Sequence, residues 1–207
     1  MAHAQSAPDC CAAILAGGLN TRMAGRNKAF LEIDGRAIVD RLIETLTPLF
    51  PQVVIVTRQP ELYAGRALRI VADIFQARSS LTGIHAALAH ADTQWVFVCP
   101  CDAPFIQPAL VRLLLDEISP QVDAVVPRIG EYYEPLCAVY ARNCLAPIAA
   151  QLAREEFKIT GFFRHIRVKQ IGEAQLRAVD PRLRSFLNVN TPEVYQALKN
   201  EDETLIG

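Results

Sequence analysis

Apolar positions along this chain follow two periods. Residues 10–16 (CCAAILA) and 53–57 (VVIVT) are apolar almost without a break, the pattern of strands buried on both faces. Residues 69–73 predict a short third strand, and the run WVFV at 95–98 a fourth that stops at Pro100. Between these runs the period lengthens. Ile38, Val39, Leu42, Ile43, Leu46 and Leu49 predict a helix over 37–50, with Pro51 beyond its end. A second helix is expected over 81–91. A third covers 109–118, with Pro108 in its first turn, where a missing N–H is harmless. Residues 123–129 and 134–141 read as strands, 144–157 as a helix, and 158–168 as a short helix leading into a strand. The C-terminal stretch 185–199 predicts a short strand and then a helix introduced by Thr191, Pro192 and Glu193.

Strands alternating with helices imply an α/β fold: one domain, with a mostly parallel twisted sheet and helices on both faces. In such sheets a ligand binds beyond the carboxyl ends of the strands, at a switch in strand order. The expected boundaries are a disordered leader at 1–9, the domain at 10–200 and a tail at 201–207. With 207 residues, 51% of them hydrophobic, the chain can bury a sizeable core. The net charge of −1 argues against nucleic acid as a bulk electrostatic partner. No apolar run approaches the roughly 20 residues that span a bilayer, and the N-terminus lacks the pattern of a secretory signal. Cys10, Cys11, Cys99 and Cys137 lie in apolar, strand-like stretches, and no paired C-x-x-C spacing accompanies Cys99 and Cys101. The six cysteines, Cys144 included, therefore read as structural thiols of a reducing cytoplasm.

The loop after the first strand breaks the apolar pattern. Gly17, Gly18 and Gly25 share it with Arg22, Arg26 and Lys28, and no acid neutralises them. Glycines let a backbone turn sharply and offer its N–H groups at close range. An arginine can grip phosphate oxygens bidentately, and a lysine adds a compact charge. Donors and cations together describe a polyphosphate cradle, although neither G-x-x-x-x-G-K-[ST] nor G-x-G-x-x-G is present.

The stretch LAGGLNTRMAGRNK at 15–28 resembles the L-A-G-G-x-x-x-R-M-G-G-x-[DN]-K signature of the MobA-type nucleotidyltransferases. The resemblance continues through ADIFQARSSLTGIHAAL (72–88), FVCPCDAPFI (97–106) and FLNVNTPEVY (186–195), with a weaker middle from about 120 to 185. It implies a Rossmann-like nucleotidyltransferase that moves GMP from GTP to molybdopterin-bound molybdenum cofactor and releases pyrophosphate. It further implies Mg²⁺ as cofactor, with cofactor-handling proteins or apo-molybdoenzymes as candidate protein partners.

On the same resemblance Arg22, Lys28 and Asp102 are the catalytic candidates, with Asp102 as the metal ligand. Leu15, Ala16, Gly17, Gly18, Lys28, Asp73, Leu81, Gly83 and Asp102 are the nucleotide-binding candidates. Asn188 and Asn190, expected on one face of a short strand, match asparagines on the acceptor side. Three positions depart from the family pattern. Ala24 replaces a glycine, Ser80 replaces the proline of P-L-x-G, and Val56 falls where many relatives carry an asparagine near the base. Cytidylyl transfer to the same cofactor, or transfer to a sugar or polyol phosphate, therefore stays open. A non-catalytic cofactor carrier would be expected to lack Arg22, Lys28 or Asp102. His85 and His90 read as packed or solvated positions of a helix, and His165 as part of a solvated basic face.

Overall fold

The apolar run near the N-terminus forms strand β1 (Cys10–Leu15) at the heart of the sheet. In this computed structural model the described residues are 9–17 and 27–205. Along the chain follow a small hairpin, β2 (Glu32–Ile33) with β3 (Arg36–Ala37), and then α1 (Ile38–Leu46), β4 (Val53–Val56) and β5 (Arg69–Val71). Next come α2 (Ser80–His90), β6 (Trp95–Pro100) and α3 (Pro108–Asp116). The weaker middle supplies β7 (Ala124–Ile129), β8 (Tyr132–Tyr133), β9 (Ala138–Ala141) and α4 (Leu145–Leu152). The chain ends with β10 (Val168–Gly172), α5 (Glu173–Val179) and α6 (Pro192–Leu205).

The main sheet has the order β10-β7-β9-β6-β1-β4-β5, with β8 paired to β7. Neighbours pair in parallel at β1/β4, β1/β6, β4/β5 and β7/β10, whereas β9 runs antiparallel to both β6 and β7. From β1 the chain moves outward through β4 and β5, then crosses back and lays β6 on the other side of β1. That reversal makes the carboxyl ends of β1, β4 and β6 the switch point where a ligand is expected.

Both sheet faces are covered, which is why the strands read as unbroken apolar runs. Successive residues of β1 alternate between two cores. Cys10, Ala12 and Ile14 meet Ile38, Val39, Leu42 and Leu46 of α1 and Leu110 and Leu114 of α3. Cys11 and Ala13 meet Leu81, Ile84 and Leu88 of α2 and Ile148 and Leu152 of α4. Burying one such aliphatic side chain stabilises the fold by about 1.5–3 kcal/mol, so each helix is held chiefly by its apolar stripe.

Several expectations shift. The first helix ends at Leu46 and the fourth at Leu152, both shorter than their apolar patterns. Residues 187–190 form no strand. Val189 is fully buried and its N–H donates to the carbonyl of Asp102 at 2.8 Å, a single backbone bond instead of a ladder. Residues 159–165 form a 3-10 helix before β10. Asp9, placed by sequence in the leader, accepts backbone bonds from Gln94 and Trp95 and so ties into the start of β6. The last helix reaches Leu205, into the stretch expected to be a tail. All six cysteines are free thiols. No helix among the described residues is long and apolar enough to cross a membrane.

Candidate active site

Three strand ends are stitched together where the sheet switches direction. The Ala16 N–H donates to the Val56 carbonyl at 2.8 Å, and the Cys101 N–H to the Leu15 carbonyl at 3.1 Å. A cavity of about 300 Å³ opens over these ends. Leu15, Ala16 and Gly17 line it from β1 and its end, Val56 from β4, Pro100, Cys101 and Asp102 from the end of β6, Asp73 and Ser79 from the approach to α2, and Ser80 and Gly83 from the first turn of α2. A Cβ at Gly17 would lie 3.7 Å from Asp73 Oδ2, an ordinary contact, so glycine there leaves room in the cavity. Gly83 similarly faces Leu15, whose Cδ2 would be 3.6 Å from an added Cβ.

Lys28 enters the cavity from a short 3-10 turn, residues 28–30. Asn27 caps that turn by accepting from the Ala29 N–H at 3.1 Å, while Ala29 and Leu31 are buried and anchor it. Lys28 Nζ donates to Asn190 Oδ1 at 2.7 Å and to Asp102 Oδ2 at 3.3 Å. Lys28 and Asp102 are mostly shielded from solvent, with side chains 13% and 19% exposed. The structure thus joins a cation, a carboxylate and a carboxamide from residues 28, 102 and 190. The Asn188 Oδ1 is buried with no hydrogen-bond partner, and the Val189–Asp102 backbone bond keeps its chain segment beside Asp102.

Asp73 stands on the opposite wall with one oxygen engaged. Its Oδ2 accepts from Arg58 Nε at 2.8 Å and lies 3.5 Å from the Thr82 hydroxyl. Its Oδ1 is buried without a hydrogen-bond partner. Ser79 caps α2 reciprocally: its hydroxyl accepts from the Thr82 N–H, and the Thr82 hydroxyl approaches the Ser79 N–H. His85 is buried against the edge of Phe75, and burial lowers its pKa despite the nearby Asp73 carboxylate. Burial and the Asp102 carboxylate push the Cys101 thiol up to about 12, so it stays protonated on the cavity wall.

Of the sequence-derived candidates, Leu15, Ala16, Gly17, Lys28, Asp73, Gly83 and Asp102 share the cavity, and Asn190 contacts Lys28 at its rim. Leu81 instead faces the core under α2 and is fully buried. Gly18 and Arg22 lie outside the described residues. Sequence reasoning passed over Asn27, Arg78, Ser79 and Leu136, which also line the cavity, and Arg58 behind it. Only Ser79, a residue type favoured at helix N-caps, carried a readable signal among them.

Geometrically the cavity suits a nucleotide. It has an apolar floor of strand ends, an acid on one wall, and a lysine with its carboxylate and carboxamide acceptors on the other. A model of the MobA-like NTP transferase domain matches residues 12–171. A protein of Desulfosudis oleivorans named molybdenum cofactor guanylyltransferase is 42% identical over 180 residues, which cover 87% of this chain and 89% of that one. A probable molybdenum cofactor guanylyltransferase of Natranaerobius thermophilus is 36% identical over 187 residues, covering 88% and 91%. Among solved structures, molybdopterin-guanine dinucleotide biosynthesis protein A from Archaeoglobus fulgidus superimposes with a TM-score of 0.83 at 28% identity, covering 94% of this chain and 99% of that one. The chain belongs to the MobA-like NTP transferase family and is a nucleotidyltransferase.

Proposed function

We propose that the protein transfers GMP from GTP to the terminal phosphate of molybdopterin-bound molybdenum cofactor in the cytoplasm, releasing pyrophosphate. The observation that carries this reading is the cluster of Lys28, Asp102 and Asn190 at the rim of a cavity whose other wall bears Asp73. The names of relatives that match along most of the chain supply the guanine and the acceptor.

The acceptor phosphate is already an anionic nucleophile near neutral pH, so the chain needs no serine or histidine base. Its oxygen forms a bond to the α-phosphorus of GTP as the bond to the β-phosphate oxygen breaks, and the electron pair leaves with pyrophosphate. What the protein contributes is position and charge. Lys28 balances charge on the phosphates, and Asp73 receives a donor of the nucleoside. Leu15, Ala16 and Gly17 form the surface on which base and ribose rest. Gly18 and Arg22 complete the phosphate cradle in this reading, and Asn188 and Asn190 serve the acceptor side.

The residues present fit Mg²⁺. Asp102 offers a hard carboxylate, and the buried, unpartnered Asn188 Oδ1 offers a carboxamide oxygen in the adjoining segment. No cluster of three or more His, Cys, Asp or Glu side chains suited to a metal occurs among the described residues, so phosphate and water would supply most other ligands. Asp102 would hold the ion, with Asn188 beside it. When bound, Mg²⁺ supplies charge neutralisation to the triphosphate. A pyrophosphate-release assay with each of the four nucleoside triphosphates, with and without molybdopterin-type acceptor, tests the whole reading. Release should require both GTP and acceptor. Acceptor-dependent release with CTP in preference to GTP would move the protein to cytidylyl transfer.

A further inference from the structure

Arg58 lies just past β4 and does not line the cavity, yet its guanidinium is committed to one neighbouring stretch of chain. Nε donates to Asp73 Oδ2 at 2.8 Å. Nη2 donates to the carbonyls of Phe75 at 2.7 Å and Ala77 at 2.6 Å, and Nη1 to that of Gln76 at 3.2 Å. A planar guanidinium fixes its partners in both distance and plane, which an ammonium does not. The stretch it grips starts at Asp73 and runs directly into Arg78, Ser79 and Ser80, which line the cavity. Ser79 then caps α2.

Asp73 is left with two unlike oxygens. Its side chain is only 6% exposed, with Oδ2 held by Arg58 and Oδ1 buried without a partner. A buried carboxylate oxygen without a donor is costly, and such groups in native proteins call for an explanation. Asp73 lines the cavity, where a nucleoside carries hydroxyl and N–H donors for its carboxylate.

We propose that Arg58 is a positioning residue of the nucleotide site: its grip on Asp73 Oδ2 and on the carbonyls of 75–77 fixes the Asp73 carboxylate on the cavity wall for an O–H or N–H donor of the nucleoside. This rests on reading the cavity as the nucleotide site. Arg58 touches no substrate and takes no part in bond making. Its loss therefore weakens nucleotide binding and leaves the transfer step of the bound complex nearly unaltered. The same grip holds in place the wall that carries Arg78 and Ser79.

Arg58→Lys keeps the charge and removes the fork. Calorimetry with GTP and Mg²⁺, together with steady-state kinetics, compares the wild type, Arg58→Lys, Asp73→Asn and the double variant. Each single change should raise the Kd and KM for GTP by about ten- to hundredfold, with kcat little changed. The double variant should bind no worse than the weaker single, because both changes remove one interaction. Among analogues on the wild type, weakened binding of 2′-deoxy- or 3′-deoxy-GTP would assign the donor to the ribose, and weakened binding of ITP to the base. Either result supports the proposal. Normal GTP affinity in folded Arg58→Lys or Asp73→Asn would overturn it, as would losses that multiply in the double variant. A purely structural arginine would lower Tm and kcat together without coupling to Asp73. If the wild type binds CTP or ATP better than GTP, the guanylyl reading fails by itself, and the coupling is measured with the preferred nucleotide.

Discussion

At the scale of single residues, the proposed reaction gives Asp102 and Lys28 separable tasks. Asp102→Asn keeps shape and removes the charge offered to a metal. Turnover should fall at least a hundredfold, the lower end of what one electrostatic group supplies in a transition state (~10²–10³). Thermal unfolding should barely change, because Asp102 keeps one-fifth of its side chain in solvent and its carbonyl bond to Val189 is a backbone contact. Normal turnover in that variant would remove the metal from the mechanism. Lys28→Ala should instead weaken GTP binding by about 1.5–3 kcal/mol, the loss of one charge-assisted contact. Calorimetry with and without Mg²⁺ separates the two. The Asp102 defect should depend on the metal, whereas the Lys28 defect should persist without it. Lys28 and Asp102 were both legible from motif and spacing. Arg58 was not, because an arginine just past a strand looks like any solvated loop residue until its four partners are seen.

At the scale of elements, legibility followed burial. Strands covered on both faces announce themselves by unbroken apolar runs, so β1, β4 and β6 were readable, as were the striped helices α1 and α3 and the almost wholly buried α2. The β2/β3 hairpin, β8 and α5 escaped because each buries little: within α5 only Leu176 is fully covered. Leu187–Asn190 misled for a related reason. Its apolar–polar alternation reflects the burial of Val189, and burial of one residue needs no ladder. At the end of the sheet opposite the cavity, Asp123 joins three elements. Directly before β7, it takes bonds from the Arg167 guanidinium, the Arg167 N–H and Asn143, which follows β9. The Arg167 guanidinium is the main cause that holds its carboxyl well below the usual carboxylate range, against the opposing effect of burial. A depressed carboxyl adds stability that is complete above its unfolded pKa, near 4, and is lost as pH falls below that. Urea midpoints of wild type and Asp123→Asn should therefore differ most near pH 7, with the gap narrowing only below about pH 4 and still largely present at pH 3. GTP affinity at pH 7 should be the same in both. A gap that is constant with pH would mean that the pairing contributes nothing through charge.

At the scale of the whole molecule, the cavity sits on the carboxyl ends of the central strands, so a ligand there bridges segments far apart in sequence: β1, β4, the approach to α2, and β6. Filling it should stabilise the domain as a unit. A ligand at a hundred times its Kd adds about 2.7 kcal/mol to the folded state. For a domain of this size each kcal/mol moves Tm by about 2–4 °C, so GTP with Mg²⁺ should raise Tm by about 5–10 °C. The same measurement decides the base. Val56 lines the cavity with an apolar side chain, a surface that offers no side-chain hydrogen bond. In the proposed reading, discrimination is expected from the remaining wall, where Asp73 keeps one oxygen unpartnered and Arg78 stands beside the Ser79 cap. At equal concentration CTP and ATP should shift Tm by less than half as much as GTP. The excess should shrink in Asp73→Asn if that acid reads the base, and persist if it holds the ribose. An equal or larger shift with CTP would place the protein in the cytidylyl branch of its family.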